Sequence, residues 1–205
     1  GKRTLGTRVV IHRTRMGYRV AVVKSSRESG IAFDAPGTDS ERHWQAGARQ
    51  VMLIAPDQMV LRAAPSSLPL TVLVHRYLAD ADIVIAEGFK QARQIAKIEV
   101  VRNPEQELRR EVHGVIAVAT DLEIVADYVF RLDEAEEIAQ FLEKRYLRIG
   151  AGRPEHTVLL VNGRKVVLKP FIQDSLAGVV KGYVEALKIN DTVQEIELRI
   201  SVPRE

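Results

Sequence analysis

Short, uninterrupted apolar runs recur along the first two thirds of the chain, and each has the length of one strand. The clearest is Ile-Val-Ile-Ala at residues 83–86, which Asp82 precedes and Glu87 and Gly88 follow. Runs that are apolar at every position are typical of strands covered on both faces, as in a parallel sheet beneath helices. They predict an α/β fold with buried strands. Comparable runs lie at residues 20–23, 51–55 and 115–119.

The segments between these runs have the spacing of amphipathic helices. Apolar residues at helical intervals over residues 5–16, separated by basic side chains, predict a first helix that ends at Gly17. Asp39 or Ser40 is expected to cap a short second helix, and Asp133 a later one. Helices alternating with buried strands favour a mostly parallel sheet flanked by helices.

The pattern changes after residue 147. Glycine and proline at residues 150, 152 and 154 indicate a linker. Two β-prone runs separated by Asn162-Gly163 then predict a hairpin, a helix follows, and the alternation over residues 192–202 predicts a last strand. This small ββαβ (α+β) unit is near the lower size limit for independent folding, so we expect it to dock on the first domain or on another copy. The expected boundaries are 1–147 for the main domain, 148–155 for the linker and 156–205 for the ββαβ unit.

Composition narrows the possible functions. The chain has 205 residues, with 30 basic and 27 acidic side chains and no basic stripe, so we do not expect nucleic-acid binding. It has no cysteine, which excludes disulfides, thiolate catalysis and cysteine-ligated zinc. Its five histidines lack metal-ligand spacing. No apolar run reaches the ~20 residues of a membrane span, and a cytoplasmic protein without a membrane partner is the expectation.

Glu87 is the first candidate for chemistry. A carboxylate at the carboxyl end of a buried strand lies where open α/β sheets bind ligands. There it could hold Mg²⁺ directly or through water, or orient an attacking water. Gly88 would allow a sharp turn beside the ligand. The alternative is a solvated carboxylate at a strand end.

The start of the chain contains a second, weaker signal. Gly1-Lys2 ahead of a helix and a strand matches the second half of a phosphate-binding loop, in which backbone N–H groups and a lysine hold phosphates. The first half of that loop and the strand before it are not in this sequence. Arg3 stands at the position of the magnesium-binding hydroxyl, and Thr4 follows it.

Thr120 and Asp121 end another apolar run. A carboxylate at this place could accept hydrogen bonds from the N–H edge of a guanine ring. Equally, Asp121 could cap a local turn.

Together these stretches resemble one family. The chain is similar to the molybdopterin-guanine dinucleotide biosynthesis protein B (MobB) family, P-loop GTP-binding adaptors of molybdenum cofactor maturation. The resemblance spans residues 1 to about 145, and its most specific part is Pro-Gly-x-Asp-Ser, then Ala-Gly-Ala, then Glu-Gly-Phe-Lys. The matching stretches are residues 17–24, Asp34, 36–37, 39–40, Arg42, 46–48, 82–90, 97–100 and 115–121.

The resemblance implies a P-loop NTPase-like fold and a site for GTP and Mg²⁺. Gly1, Lys2 and Thr4 would face the phosphates, Thr4 and Glu87 would lie on the magnesium side, and Thr120-Asp121 would lie near the base. It also implies a homodimer and two kinds of partner: the guanylyltransferase that joins GMP to molybdopterin, and molybdopterin or its nucleotide. Activity would be at most weak GTP hydrolysis, with Glu87 as the catalytic carboxylate.

Six further residues are expected to line a groove for the substrate or the protein partner. Each has a simpler alternative, because strand-end and loop cations are often only solvated, and Asp39 and Arg42 could form an i,i+3 ion pair. Trp44 is expected to pack rather than to stack on a ligand. The six groove residues are Lys24, Asp39, Ser40, Arg42, Lys90 and Lys97.

The sequence departs from the family at three positions near the expected nucleotide. Besides Arg3, Ser25 replaces a histidine and Thr38 replaces a lysine. These departures leave two other functions open. One is a non-catalytic protein–protein interaction module on a degenerate P-loop fold. The other is an ATP-dependent kinase or ligase for a small molecule.

Overall fold

The computed structural model describes most of the chain, in two compact units, Gly1–Leu142 and Glu143–Glu205. For residues 2–4 and 147 it describes the backbone alone. The predicted linker at 148–155 lies outside the described residues. None of the described helices is both long and apolar enough to cross a bilayer. The described residues are 2–32, 34–93, 95–103, 105, 111–147, 157–162, 164–187 and 192–201.

The first unit alternates helices and strands, as predicted. Its helices are α1 (Lys2–Arg15), α2 (Asp39–Gln45), α3 (Leu70–Tyr77) and α4 (Ala135–Leu142). Its strands are β1 (Val20–Lys24), β2 (Gln50–Ile54), β3 (Met59–Ala63), β4 (Ile83–Glu87), β5 (Lys97–Val100), β6 (Val115–Ala119) and β7 (Val129–Phe130).

Its parallel strands form two groups. Strand β1 pairs with β4, and β5, β6 and β7 form a second sheet in that order. The expectation of a strand buried throughout was wrong for β4, whose five residues are all half-buried. In the described part of the chain β4 has a ladder on one edge only, and so does β5.

One hydrophobic core joins both groups beneath helix α1. Leu5 and Val9 of α1 pack with Ile138 of α4 and with Ala119 of β6. Ile85 of β4 and Ile98 and Val100 of β5 border the same cluster. The helix end predicted at Gly17 is confirmed, because α1 ends at Arg15 and Gly17 has a φ of +87°. The core therefore fixes α1 across both parallel groups.

A buried arginine ties α1 to α4. The side chain of Arg13 has no exposed surface. Its guanidinium donates a hydrogen bond to the backbone carbonyl of Ala139 and lies 5.3 Å from the centre of the Tyr18 ring. A buried charge is costly unless it is hydrogen-bonded, so this geometry couples the positions of the two helices.

Strands β2 and β3 form an antiparallel hairpin with no third strand among the described residues. One face is directed away from α2, and its Met52, Ile54 and Met59 are 52%, 73% and 63% exposed. Helix α2 contacts the hairpin at β2. The predicted cap of α2 was wrong by one or two residues: Thr38 is the N-cap, and its hydroxyl accepts from the backbone N–H of Glu41. The side chain of Ser40 is instead used in the preceding loop.

The second unit contains a hairpin and one long helix. Strands β8 (Leu159–Val161) and β9 (Arg164–Val166) pair antiparallel, and Asn162 at their turn has a φ of +50°. Helix α5 (Pro170–Ala186) begins with proline in its first turn, where the missing N–H costs nothing. A π-helical turn, Glu143–Leu147, starts the unit. The last strand, predicted at 192–202, is not formed, because residues 192–201 belong to no helix or strand.

Candidate functional site

Strands β1 and β4 bring two predicted site residues to one edge of the sheet. In their parallel register Lys24 lies opposite Glu87. The ladder continues one residue further, where the backbone N–H of Ser25 donates to the carbonyl of Glu87 at 2.9 Å. The carboxyl ends of both strands are therefore held together, and this is the edge at which α/β sheets bind ligands.

Helix α1 reaches the same edge. A Cβ atom added at Gly6 would lie 2.8 Å from Oε1 of Glu87, so the carboxylate rests against the helix backbone. Lys2 begins the helix four residues earlier, which is about 6 Å along its axis. The structure thus brings Glu87 beside the first turns of α1. The backbone of Lys2 and Thr4 lies in those turns, whereas their side chains and all of Gly1 lie outside the described residues.

The turn after Glu87 is tight. Gly88 has a φ of +91°, and a Cβ there would lie 3.0 Å from Cβ of Ser25. Phe89 also has a positive φ, +48°, which is uncommon for a bulky residue. The sharp turn predicted for Gly88 is confirmed. It carries the chain away from the edge and leaves Lys90 exposed.

Thr120 and Asp121 follow β6 in the other parallel group. Thr120 is buried, and its hydroxyl accepts from the backbone N–H of Leu122 at 3.1 Å. Asp121 accepts through Oδ1 from the backbone N–H of Leu132 at 3.1 Å. Asp121 thus holds a backbone N–H 11 residues further along the chain, whereas the hydroxyl of Thr120 caps the local turn after β6. The contact of Asp121 with a base stays a prediction.

A polar loop precedes α2. The carboxylate of Asp34 accepts from the hydroxyls of Ser40 and of Thr38, the latter at 2.7 Å, and from the backbone N–H of Ala35 at 2.7 Å. These hydrogen bonds, with that of Ser40 the largest cause, lower the pKa of Asp34. Asp39 and Arg42 form the expected i,i+3 ion pair, 3.3 Å apart and exposed.

Arg62 of β3 joins the hairpin to α2. It forms an ion pair with Glu41 and lies 4.3 Å from the centre of the Trp44 ring, so the packing role expected of Trp44 is confirmed. A shallow cleft between this arginine and the polar loop has mostly apolar walls. The cleft is lined by Asp34, Ser40, Val51, Leu53, Val60 and Arg62.

Lys97 has a structural role that its sequence position did not suggest. Its ammonium donates to the backbone carbonyls of Ala92 at 2.6 Å and of His113 at 2.7 Å. It therefore ties two loops together. Of the cations predicted for the groove, Lys24 and Lys90 are exposed at the edge near Glu87, whereas the Lys97 ammonium is held by carbonyls.

The opposite end of the β1–β4 pair is closed by an ion pair. Asp82 accepts from the backbone N–H of Arg19 at 2.7 Å and from its guanidinium at 2.9 Å. These contacts, led by the side-chain hydrogen bond, lower the pKa of Asp82. The contacts lie before the two strands, so they fix the register that aligns Lys24 with Glu87.

Two residues that organise the site were missed by sequence reasoning as site residues. Gly6 had a signal, because glycine in a helix interior is unfavourable by about 1 kcal/mol relative to alanine and suggests close packing. Asp34 had a weaker signal, because it is an aspartate followed by turn formers and hydroxyl side chains.

Within the described ranges, no three acidic, histidine or cysteine side chains are grouped as a metal site. Mg²⁺ commonly takes one or two carboxylates and completes its shell with phosphates and water, and Glu87 fits that limited demand.

Comparisons with known proteins identify the family of the chain. Residues 1–121 match the family described as molybdopterin guanine dinucleotide synthesis protein B. A relative from Methanocaldococcus jannaschii, described provisionally as a molybdopterin-guanine dinucleotide biosynthesis adapter protein, is 24% identical, and the match covers 100% of this chain and 94% of the relative.

Solved structures give the same result. A crystal structure of molybdopterin-guanine biosynthesis protein B is 34% identical, with a TM-score of 0.59, over 71% of this chain and 92% of the other. A MobB homologue from Bacillus stearothermophilus, 24% identical with a TM-score of 0.52 over 71% of this chain and 89% of its own, supports the fold alone. The predicted P-loop NTPase-like α/β fold is confirmed. The chain belongs to the MobB family of molybdopterin-guanine dinucleotide biosynthesis proteins.

Proposed function

We propose that this chain is a cytoplasmic, homodimeric adaptor that binds GTP with Mg²⁺ and assists the guanylyltransferase that joins GMP to molybdopterin. The observation that carries the proposal is the contact between Glu87 and helix α1 at Gly6. It joins a strand-end carboxylate to the start of a helix. That pairing suits a nucleotide phosphate with its metal ion, because the helix N-terminus attracts the anion and the carboxylate attracts the cation.

Helix α1 supplies the phosphate side. It has 14 residues and no acidic side chain in its first turn, so nothing there opposes an anion. The first N–H groups of a helix have no partner within the helix. Gly1, Lys2 and Thr4 belong to this end, and Lys24 lies at the end of the neighbouring strand. The cations at this edge would offset phosphate charge.

Glu87 supplies the metal side, together with the Thr4 hydroxyl. Mg²⁺, when bound, would offset negative charge on the phosphates. Glu87 would hold the ion directly or through water, and Gly6 leaves the space in which its carboxylate lies. Asp121 has one carboxylate oxygen not used by Leu132, which can face a guanine N–H. Hydrolysis would be weak or absent, because Arg3, Ser25 and Thr38 depart from the family at positions near the expected nucleotide.

One observation favours a second candidate, a protein–protein interaction module. The outward face of the β2–β3 hairpin exposes Met52, Ile54 and Met59 side by side. Adjacent exposed apolar side chains are typical of protein contact sites. The guanylyltransferase is the proposed partner of this face, whereas the groove residues Asp39, Ser40 and Arg42 belong to the helix on the other face of the hairpin. Molybdopterin or its nucleotide would be presented between the two proteins.

The proposal is tested by titration with fluorescent GTP and ATP, each with and without Mg²⁺. We expect the chain to bind GTP more tightly than ATP and to require Mg²⁺ for that binding. Glu87→Ala is expected to lower the affinity for Mg²⁺ in the presence of GTP by roughly 10- to 100-fold. The matched control is Glu136→Ala, which removes an exposed carboxylate of α4 whose contact is with Gln140 of the same helix. A preference for ATP would favour a kinase or ligase. Equal effects of the two substitutions on binding would contradict the assignment of Glu87 to the metal side of the site.

A further inference from the structure

A shallow cleft on the α2 side of the β2–β3 hairpin has no part in the nucleotide site. Both strands of the hairpin and the polar loop before α2 line it. The space that a water-sized group can enter is about 20 Å³, which holds one such group and excludes a purine or pterin ring. The group that binds here is therefore small, and it is neither the base of a nucleotide nor a pterin.

The anionic end of the cleft is the carboxylate of Asp34. Its Oδ2 accepts from the hydroxyls of Thr38, at 2.7 Å, and of Ser40, and its Oδ1 accepts from the backbone N–H of Ala35 at 2.7 Å. A carboxylate has about four acceptor sites, so these three hydrogen bonds leave one, on Oδ1. The Ser40 oxygen keeps its lone pairs, because the hydroxyl proton is donated to Asp34. This end of the cleft thus offers acceptors to one incoming donor group.

The charges around the cleft favour a cation. Asp34 stays ionised, because hydrogen bonds, that of Ser40 first, lower its pKa, and the positive charge of Arg62 lowers it further. Arg62 is itself paired with Glu41 of α2 and lies 4.3 Å from the centre of the Trp44 ring. The guanidinium is therefore offset by a carboxylate of its own, whereas Asp34 forms no ion pair with the residues that the structure describes. One negative charge is left in excess.

The walls of the cleft are apolar. They are formed by Val51 and Leu53 of β2 and Val60 of β3. Leu53 lies directly opposite Val60 in the ladder, so the apolar strip is continuous across the two strands. An aliphatic stem can lie along such a strip while its charged head reaches a polar end. A lysine side chain is built in this way, with a four-carbon stem and a compact ammonium.

We propose that this cleft is a docking site for a lysine side chain of a protein partner. The ammonium donates to Oδ1 of Asp34 and to Oγ of Ser40, and the stem lies along the apolar walls. The inference rests on the proposed function only for the existence of a protein partner, and it is independent of nucleotide binding. It gives the chemistry by which that partner is recognised.

Three alternative occupants fit the cleft less well. An arginine fork needs two acceptors side by side on one carboxylate, whereas Asp34 has one acceptor site left. An apolar side chain would cover an ionised carboxylate without giving it a hydrogen bond. A free amine would have to offset its whole loss of translational freedom in a shallow cleft, whereas a side chain is held there by the rest of the protein contact.

The proposal is tested by nuclear magnetic resonance of the isotope-labelled full chain, titrated with N-acetyl-lysine methylamide at constant ionic strength. The backbone amide signals of Ser40, Leu53 and Arg62 are expected to shift and to reach saturation. The matched probes are the norleucine analogue, which has a similar stem without the ammonium, and the ε-acetylated lysine. Both are expected to bind about 10-fold more weakly or less, because they lose a hydrogen bond between charged groups.

Substitutions give an independent test with the same lysine probe. Asp34→Asn is expected to lower the affinity about 10-fold, because it removes the charge that the ammonium meets. The matched control is Asp57→Asn, the same change at an exposed position in the turn of the same hairpin, and it should leave the affinity unchanged. Leu53→Ser leaves the loop around Asp34 intact and should weaken binding several-fold, because the stem loses part of its apolar wall.

Four results would overturn the inference. They are equal binding of the lysine and norleucine probes, tighter binding of the arginine analogue than of the lysine probe, equal affinities of the Asp34→Asn and Asp57→Asn variants, and signal shifts confined to residues outside the cleft. Tighter binding of putrescine, a free diamine, would also overturn it and would assign the cleft to a small amine. The GTP titration does not depend on any of these outcomes, so the two proposals can fail separately.

Discussion

Helices α1 and α5 have similar lengths, but the more polar of the two is the one that is buried. Helix α1 contains six basic residues among its 14, yet Leu5, Val9 and Arg13 are all less than one tenth exposed. Helix α5 is largely apolar over 17 residues and has no buried residue. The difference teaches that burial follows from what surrounds a helix rather than from its own composition. Helix α1 packs against α4 and borders both strand groups, whereas α5 has no buried residue at all.

The largest expected effect tests this difference in burial. Ile138 is 1% exposed in the core under α1, whereas Val167 of the second unit is 82% exposed. We expect Ile138→Ala to lower the free energy of unfolding by about 2–5 kcal/mol, because it removes buried methyl groups and leaves a cavity. Val167→Ala should change it by no more than about 0.5 kcal/mol.

The measurement is urea unfolding followed by circular dichroism, at a protein concentration at which the chain is monomeric. Similar losses for both substitutions would break the comparison, because they would show that the second unit has a core of its own.

The second prediction, with an effect of intermediate size, distinguishes the core face of α1 from the face that contacts Glu87. Gly6 lies on the same helix as Leu5 and Val9, but it faces Glu87. Gly6→Ala is expected to raise the free energy of unfolding by up to about 1 kcal/mol through helix propensity. It should also weaken magnesium-dependent GTP binding, because the new Cβ displaces the carboxylate.

Thermal unfolding and nucleotide titration of this one variant give both readouts. A loss of stability, or unchanged binding, would contradict the assignment. Gly178→Ala is the matched control, because it makes the same change in α5 where nothing lies within 4 Å of the new Cβ.

The smallest effect concerns the polar loop, which lies outside the core. The folded-state pKa of Asp34 is below its ordinary value of 3.8, because Ser40, Thr38 and Ala35 donate to the carboxylate. The loop stabilisation from Asp34 is therefore complete above about pH 5 and is lost as the pH falls below 4 toward the folded-state value.

Asp34→Asn should reduce this acid dependence, visible as a flatter stability curve between pH 5 and 3. A steeper slope for Asp34→Asn would reverse the sign assigned to the shift.

Much of the first unit could be predicted because its signals are local. The apolar runs of β1, β4 and β6 and the helical spacing of α1 are each contained in a few residues. The approach of Gly6 to Glu87 joins positions 81 residues apart, and no periodicity reports such a contact. Likewise, nothing adjacent to Lys97 indicates that its ammonium holds the carbonyls of Ala92 and His113.

In the second unit, a clear local pattern did not produce the predicted element. The strand predicted from the alternation over residues 192–202 was wrong, because a strand exists only where another backbone pairs with it. Within the described residues that backbone is missing, so the pattern is present and the ladder is not. A similar reason explains β4, whose apolar sequence predicts full burial although only one of its edges is paired.

The hydrogen bond from buried Arg13 to Ala139 couples the movements of α1 and α4. Sliding α1 past α4 would break the hydrogen bond from the buried Arg13 guanidinium to the backbone carbonyl of Ala139. A ligand that pulls on the first turn of α1 must therefore carry α4 with it. Events at the beginning of the chain would then be transmitted as a rigid displacement to residues more than a hundred positions later.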